Sequence, residues 1–262
     1  MYKKRGQALL ITIMLLSVAL TVVLAMSYTS KTDVQLSKLE EENQKALAAA
    51  EAGIDALVNK ASGESIAISS LSTGLKNFTG MATKTAVEEP EFSSPLLQPN
   101  GHYTLYLSDY LDFTNPYGGS VWLYYSSKSS CTDSSADALE ITIIYGDNYP
   151  YTIKRFISDG GDRLALGSDK NDVYQKTGDF TIDGVNFKCK TVALAMEYPN
   201  PKIMVVRSIF NSTRIGFEGS SNLPTQGTTI KSEAKTPSGI TKIVELFQSY
   251  PQIPLDFFTT SF

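Results

Sequence analysis

Residues 8–26 form an uninterrupted apolar run, and no other stretch constrains the fold of this chain as strongly. The run carries no charge. Its polar side chains are Thr12, Ser17 and Thr21, whose hydroxyls can bond back to the preceding turn of a helix. Its nineteen residues, at about 1.5 Å each, cover about 28 Å, close to the roughly 30 Å hydrocarbon thickness of a bilayer. Lys3, Lys4 and Arg5 stand just before it. A cationic flank on that side keeps the N-terminus cytoplasmic and exports the remainder of the chain.

From Thr32 the pattern turns amphipathic without a proline to interrupt it. Leu36, Leu39, Leu47, Ala50, Ile54 and Leu57 recur at steps of three and four, broken at Asn43. Lys38, Glu40, Glu41, Glu42 and Lys45 fill polar positions between them. The alanine-rich stretch 46–50 is strongly helix-forming, and only Gly53 weakens it. One helix over residues 7–62 is therefore expected, roughly 80 Å long, with a membrane half at 8–28. Gly63 can take the left-handed cap at its end. The second half of the stripe is expected to pack on its own domain.

Residues 63–100 are rich in Ser, Thr and Pro, with Pro90, Pro95 and Pro99, and are expected to be a connector with at most one short helix. After Gly101 the texture is β. Stretches 103–107, 121–125, 139–145 and 151–156 are rich in aromatic and branched residues. Residues 146–150 turn the last two into a hairpin. Asp183 and Gly184 separate 180–182 from 185–187, a strong signal for a tight type I′ turn. Further strands are expected at 191–196, 203–209, 214–217, 228–231 and 240–247. The expected class is α+β: a long N-terminal helix followed by a mainly antiparallel β head over 101–262.

Composition limits what this head can do. Hydrophobic residues make up 42% and charged residues 19%, enough for a real core and too apolar for a disordered chain. Net charge is −4, and removing the three cations of residues 3–5 takes it to −7. Such a body lacks the clustered cations that displace counterions from phosphates, so no specific nucleic-acid partner is expected. Cys131 and Cys189 are candidates for one disulfide if the head lies outside the cytoplasm, or else two buried thiols.

The N-terminus admits three readings. A basic leader, residues 1–6, can end at Gly6 with the mature chain starting at Gln7. A secretory signal peptide also begins with basic residues and an apolar stretch, and Ala25 to Ser27 offers small residues at a suitable spacing; this apolar stretch, however, exceeds the usual length. The third reading is a plain, uncleaved anchor.

Lys3, Lys4, Arg5 and Gly6, the span 9–24, and Ala48, Ala49, Ala50, Glu51, Ala52 and Gly53 together resemble the start of a PilX-type minor pilin, or of the related pseudopilins of type II secretion. The resemblance covers about the first quarter of the chain. Residues 239–247 also resemble the closing strand of such heads. The resemblance implies cleavage after Gly6 by a prepilin peptidase, methylation of the new Gln7 amine, and insertion in membrane lipid before assembly with other pilin-like subunits. It implies a surface filament or secretion pseudopilus as destination. Ala8, Ile11, Ser17, Ala19, Ala50, Glu51 and Gly53 would then belong to the assembly helix. Ile11 departs from the family, which places a glutamate at that fifth mature position to meet a neighbour's amine. A buried ion pair loses heavily when half is missing, so Ile11 favours a low-copy or terminal subunit. The alternative is a membrane-anchored adhesin or a DNA- or ligand-binding module outside any filament.

Catalytic constellations are sparse, and no enzyme is expected. His102 is the single histidine, and nothing near it in sequence orders a triad. Asp159, Asp162, Asp169 and Asp172 sit in oxygen-rich loops that either are solvated turns or hold Ca²⁺, as some pseudopilins do; neither loop matches an EF-hand. No other cofactor is indicated. Tyr103, Tyr106, Tyr110, Tyr117, Trp122, Tyr124 and Tyr125 crowd one stretch, to fill a core or to present an aromatic face to a surface ligand.

Overall fold

A computed structural model of the protein describes residues 5–128, 130–133, 136–147, 150–161, 163, 172–196 and 198–254, with side chains from Leu10 onward. One helix, α1 (Arg5–Val58), is followed by β1 (Ser65–Ala67), β2 (Thr79–Thr85), β3 (Glu89–Ser93), β4 (His102–Tyr106) and β5 (Ser120–Tyr125). Then come β6 (Ala138–Tyr145), β7 (Thr152–Ser158), β8 (Tyr174–Ile182), β9 (Val185–Thr191) and β10 (Leu194–Ala195). The last four are β11 (Pro201–Ile209), β12 (Ile215–Leu223), β13 (Gly227–Lys235) and β14 (Thr241–Ser249). The chain is α+β, with one long N-terminal helix and antiparallel sheets. It divides into two compact units.

The first unit is Met1–Thr85 with Thr229–Leu246. Its sheet runs β1-β2-β13-β14. Ala49, Ala50, Ile54 and Leu57 of α1 are buried with Ile68, Ala82, Ile230 and Ala234. The buried helix face is thus Ala46, Ala49, Ala50, Gly53, Ile54 and Leu57, while Leu36, Leu39 and Leu47 of the expected stripe are exposed. Small side chains win this face because the sheet comes close. A Cβ added at Gly53 would stand against Ser232 Oγ, 2.9 Å from Ile68 Cδ1 and 3.0 Å from Ala82 Cβ. The helix ends at Val58, four residues before the expected stop, because Lys84 Nζ donates to the Val58 carbonyl (2.8 Å). A cation there satisfies an orphan carbonyl and complements the helix dipole. Gly63 does take a left-handed conformation (φ +89°), in the turn where its N–H bonds Lys84 O.

Residues 63–100, expected as a connector, carry β1, β2, β3 and two short 3₁₀ turns. The partners of β2 and β3 come from far along the chain: β2 pairs with β13 and β3 with β12. Pro90 is tolerated in β3 because that strand lies at a sheet edge. Residues 229–246, expected in the head, cluster instead with the helix.

The second unit is Ala86–Thr228 with Phe247–Phe262. One sheet runs β3-β12-β5-β9-β8 with β10 beside β5, the other β4-β11-β6-β7. Their inner faces share one core. Val121, Leu123, Tyr125, Ile215 and Phe217 come from the first sheet, and Tyr103, Leu105, Leu139, Ile141, Ile143, Met204 and Val206 from the second. The alternation is the period of two that a half-buried strand requires. Asp183 (φ +49°) and Gly184 (φ +71°) make the tight β8–β9 turn that their sequence forecasts.

Candidate functional site

Two features can carry function: the exposed apolar half of α1 and a set of surfaces on the second unit. In α1, large apolar side chains from Leu10 to Met26 are between 46% and 72% exposed. None of the described residues covers them. Among the described residues, this is the one helix long and apolar enough to cross a membrane. Its hydroxyls turn inward to the helix backbone: Ser17 Oγ donates to Met14 O (2.8 Å) and Thr21 Oγ1 to Val18 O (2.8 Å). Such back-bonding removes the penalty of carrying a hydroxyl into lipid. Ile11, Ser17 and Ala19 are exposed, as is Glu51. Ala50 and Gly53 are instead buried against the unit's own sheet. Gly6, Gln7 and Ala8 lie in the helix, with side chains outside the described set. Beyond the apolar half, Lys45 pairs with Glu41, and Ser238 Oγ donates to Glu42, holding the Glu42 carboxyl below its ordinary range.

Cys131 and Cys189 form a disulfide with Cα atoms 5.7 Å apart, both sulfurs in the sandwich core. Of the four candidate aspartates, the two that are described each serve their own loop. Asp159 is committed to Arg163, accepting from its backbone N–H (2.7 Å) and its guanidinium (2.7 Å), and Asp172 accepts from Tyr174 N (2.9 Å). Asp162 and Asp169 lie outside the described residues. Among the described residues, no group of three or more His, Cys, Asp or Glu side chains converges as a metal site would require. His102 Nε2 is hydrogen-bonded to the Ile253 carbonyl (2.8 Å).

The crowd of aromatics divides three ways. Tyr103, Tyr117 and Tyr125 enter the sandwich core, where burial pushes the phenols of Tyr103 and Tyr125 up. Tyr106 and Tyr110 join Tyr250 on the outer face of the β4-β11-β6-β7 sheet, with Tyr110 and Tyr250 stacked at 4.3 Å. Trp122 and Tyr124 lie with Phe180 on the outer face of the other sheet. There the Lys190 ammonium sits 4.8 Å from the Tyr124 ring and 5.2 Å from that of Trp122, and Tyr124 donates to Glu218. That cation-π site is filled by the chain's own lysine.

Beside the Tyr106 cluster lies a pocket of about 670 Å³. Phe113, Pro116, Ile144, Tyr151 and Ile203 supply its apolar lining, and Asp112, Thr114, Asn115, Asp147 and Lys202 its polar groups. Lys202 Nζ donates to Phe113 O (2.9 Å) and Asp147 Oδ1 (2.7 Å). Thr114 donates both N–H and hydroxyl to Asp112, keeping that carboxyl below its ordinary range. The sequence offers little warning of this pocket; the one visible signal is a run of turn-forming Asp, Asn and Pro at 112–116. No family model, curated protein or solved structure matches the chain.

Proposed function

We propose that this protein is a pilin-like subunit, inserted in the membrane by the first half of α1 and drawn from there into a surface filament or secretion pseudopilus. One observation carries the proposal: a single helix of 54 residues whose first half is apolar and uncovered while its second half packs on its own sheet. A helix that served only its own unit would not extend an apolar surface so far beyond it. In lipid that surface is satisfied at once, and in a filament it packs on the corresponding helices of other pilin-like subunits. Small or hydroxylated side chains such as Ser17, Ala19 and Ala25 let helices approach closely. The basic residues ahead of Gly6 supply a leader for a prepilin peptidase. Ile11 in place of a carboxylate fits a low-copy or terminal place in the assembly.

Labelled protein in sheared filaments tests this. Rare or terminal label is expected, and a leucine-rich replacement of residues 9–24 should keep membrane insertion but remove the label from filaments. Label absent from filaments of the unmodified protein would overturn the proposal and leave a membrane-anchored binding module. Uniform label along the filament would overturn the low-copy assignment.

A further inference from the structure

The loop from Asp109 to Tyr117 contains a conformational oddity at the mouth of the pocket. Leu111 (φ +84°), Phe113 (φ +54°) and Asn115 (φ +47°) all adopt left-handed backbone, at alternate positions and with no glycine among residues 109–117. Asparagine tolerates this region, but leucine and phenylalanine are genuine outliers there. The surroundings enforce the shape. Asp109 N–H donates to Thr114 O and its carbonyl accepts from Phe113 N–H, while Asp109 Oδ2 accepts from Asn115 Nδ2 (2.6 Å) and lies 3.2 Å from Thr114 Oγ1, whose proton it shares with Asp112. Lys202 then pins the Phe113 carbonyl. A glycine at 113 would relieve strain but remove a wall of the pocket. Phe113 thus keeps a strained backbone where its side chain lines the cavity, as a loop preorganised for a ligand does.

The chemistry of the lining selects the ligand class. Asp112 and Asp147 outnumber Lys202, so the pocket carries an excess negative charge that repels phosphates, sulfates and carboxylates. Lys202 and Asp147 already neutralise each other at 2.7 Å, and the remaining charge, on Asp112, stands alone at an exposed position with one oxygen held by Thr114, so no pair of carboxylates converges on a cation. What remains is an apolar floor ringed by groups that both donate and accept. This arrangement suits a small ligand with one apolar face and several hydroxyls. We propose that the pocket binds one neutral sugar ring, a hexopyranose unit of a surface polysaccharide, its C–H face on Phe113 and Ile203 and its hydroxyls toward Asp112, Asn115 and Asp147. The site lies wholly in the second unit and serves a tethered head as well as a filament subunit, so it stands or falls apart from the filament proposal.

The test uses the full chain in lipid nanodiscs, since sugar-based detergents would compete. Methyl glycosides of glucose, galactose, mannose and N-acetylglucosamine are titrated by saturation-transfer NMR. Saturable binding of at least one is expected, with a dissociation constant of about 1–10 mM for so small a ligand. Tyr151 is half exposed, so Tyr151→Ala should leave the thermal midpoint unchanged and weaken binding by about fivefold or more. Phe113→Gly relieves the backbone strain but forfeits the ring's packing on Tyr106, so it should leave the protein folded with a midpoint lowered by at most a few degrees while abolishing binding. Absence of saturable binding for all four glycosides would overturn the proposal, as would binding that both variants leave unchanged. Occupancy by choline or inorganic phosphate in place of the glycosides would overturn it too.

Discussion

Gly53→Ala sets helix propensity against packing, and the structure decides the sign. On propensity alone, alanine in a helix interior is better than glycine by about 1 kcal/mol. The added methyl, however, would stand against Ser232 Oγ, 2.9 Å from Ile68 Cδ1 and 3.0 Å from Ala82 Cβ. The first two neighbours can rotate; the alanine methyl is fixed to the sheet. Overpacking of this kind costs about 1–3 kcal/mol, leaving a net destabilisation of roughly 1 kcal/mol. Ser232 makes the prediction sharper, because its buried hydroxyl has no hydrogen-bond partner among the described residues. Ser232→Ala alone should therefore be neutral or stabilising, and in the double variant it should recover much of the Gly53→Ala loss. The assay is native-state hydrogen exchange of amides in 46–57, 79–85 and 229–235, on protein in nanodiscs. Gly53→Ala should speed exchange there about fivefold, while Ala48→Gly, on the exposed face, should show only the propensity loss. Slower exchange in Gly53→Ala would refute the close helix–sheet packing.

Reducing the Cys131–Cys189 disulfide releases a loop spanning 58 positions and should destabilise the second unit by about 4 kcal/mol, read as a lower denaturant midpoint from the fluorescence of Trp122. An unchanged midpoint would count against the bond's contribution. Tyr103 and Tyr125 are buried with phenols raised above their ordinary value, so the folded state keeps protons that the unfolded state releases above about pH 10. Stability should be full below that pH and fall above it by about 1.4 kcal/mol per pH unit for each of the two, with Tyr125→Phe shallowing the slope. A flat alkaline profile would contradict their burial.

What was legible in the sequence follows from the range of the interactions. The helix announces itself because 8–26 and the helix-forming residues after it are local signals, and the β8–β9 turn because Asp183 and Gly184 tolerate left-handed backbone. The packed helix face is legible in part: Ala50, Ile54 and Leu57 of the expected stripe are buried on the sheet, whereas Ala46, Ala49 and Gly53 are too small to weigh in such a stripe, yet their smallness lets the sheet approach. Leu36, Leu39 and Leu47 dominate the pattern and point outward. Strands β1 to β3 stayed hidden in a Ser-, Thr- and Pro-rich stretch because β2 and β3 depend on β13 and β12, more than a hundred residues away. The pocket was illegible for a related reason. Leu111 and Phe113 are improbable left-handed residues, and hydrogen bonds made by Asp109, Asp112 and Lys202 hold the loop in that shape.

Intact mass and N-terminal sequencing of the protein recovered from its native membrane test the central claim most directly. If the protein is the filament subunit proposed, it is cut after Gly6, so the mature chain should begin at Gln7, with a methyl group on its amine, and retain the whole apolar half of α1. Gly6→Val should block that cut while leaving the protein in the membrane, because residues 8–26 are untouched. A chain that still begins at Met1 would identify a plain anchor, and one that begins at Tyr28 a removed signal peptide; either result would contradict the account.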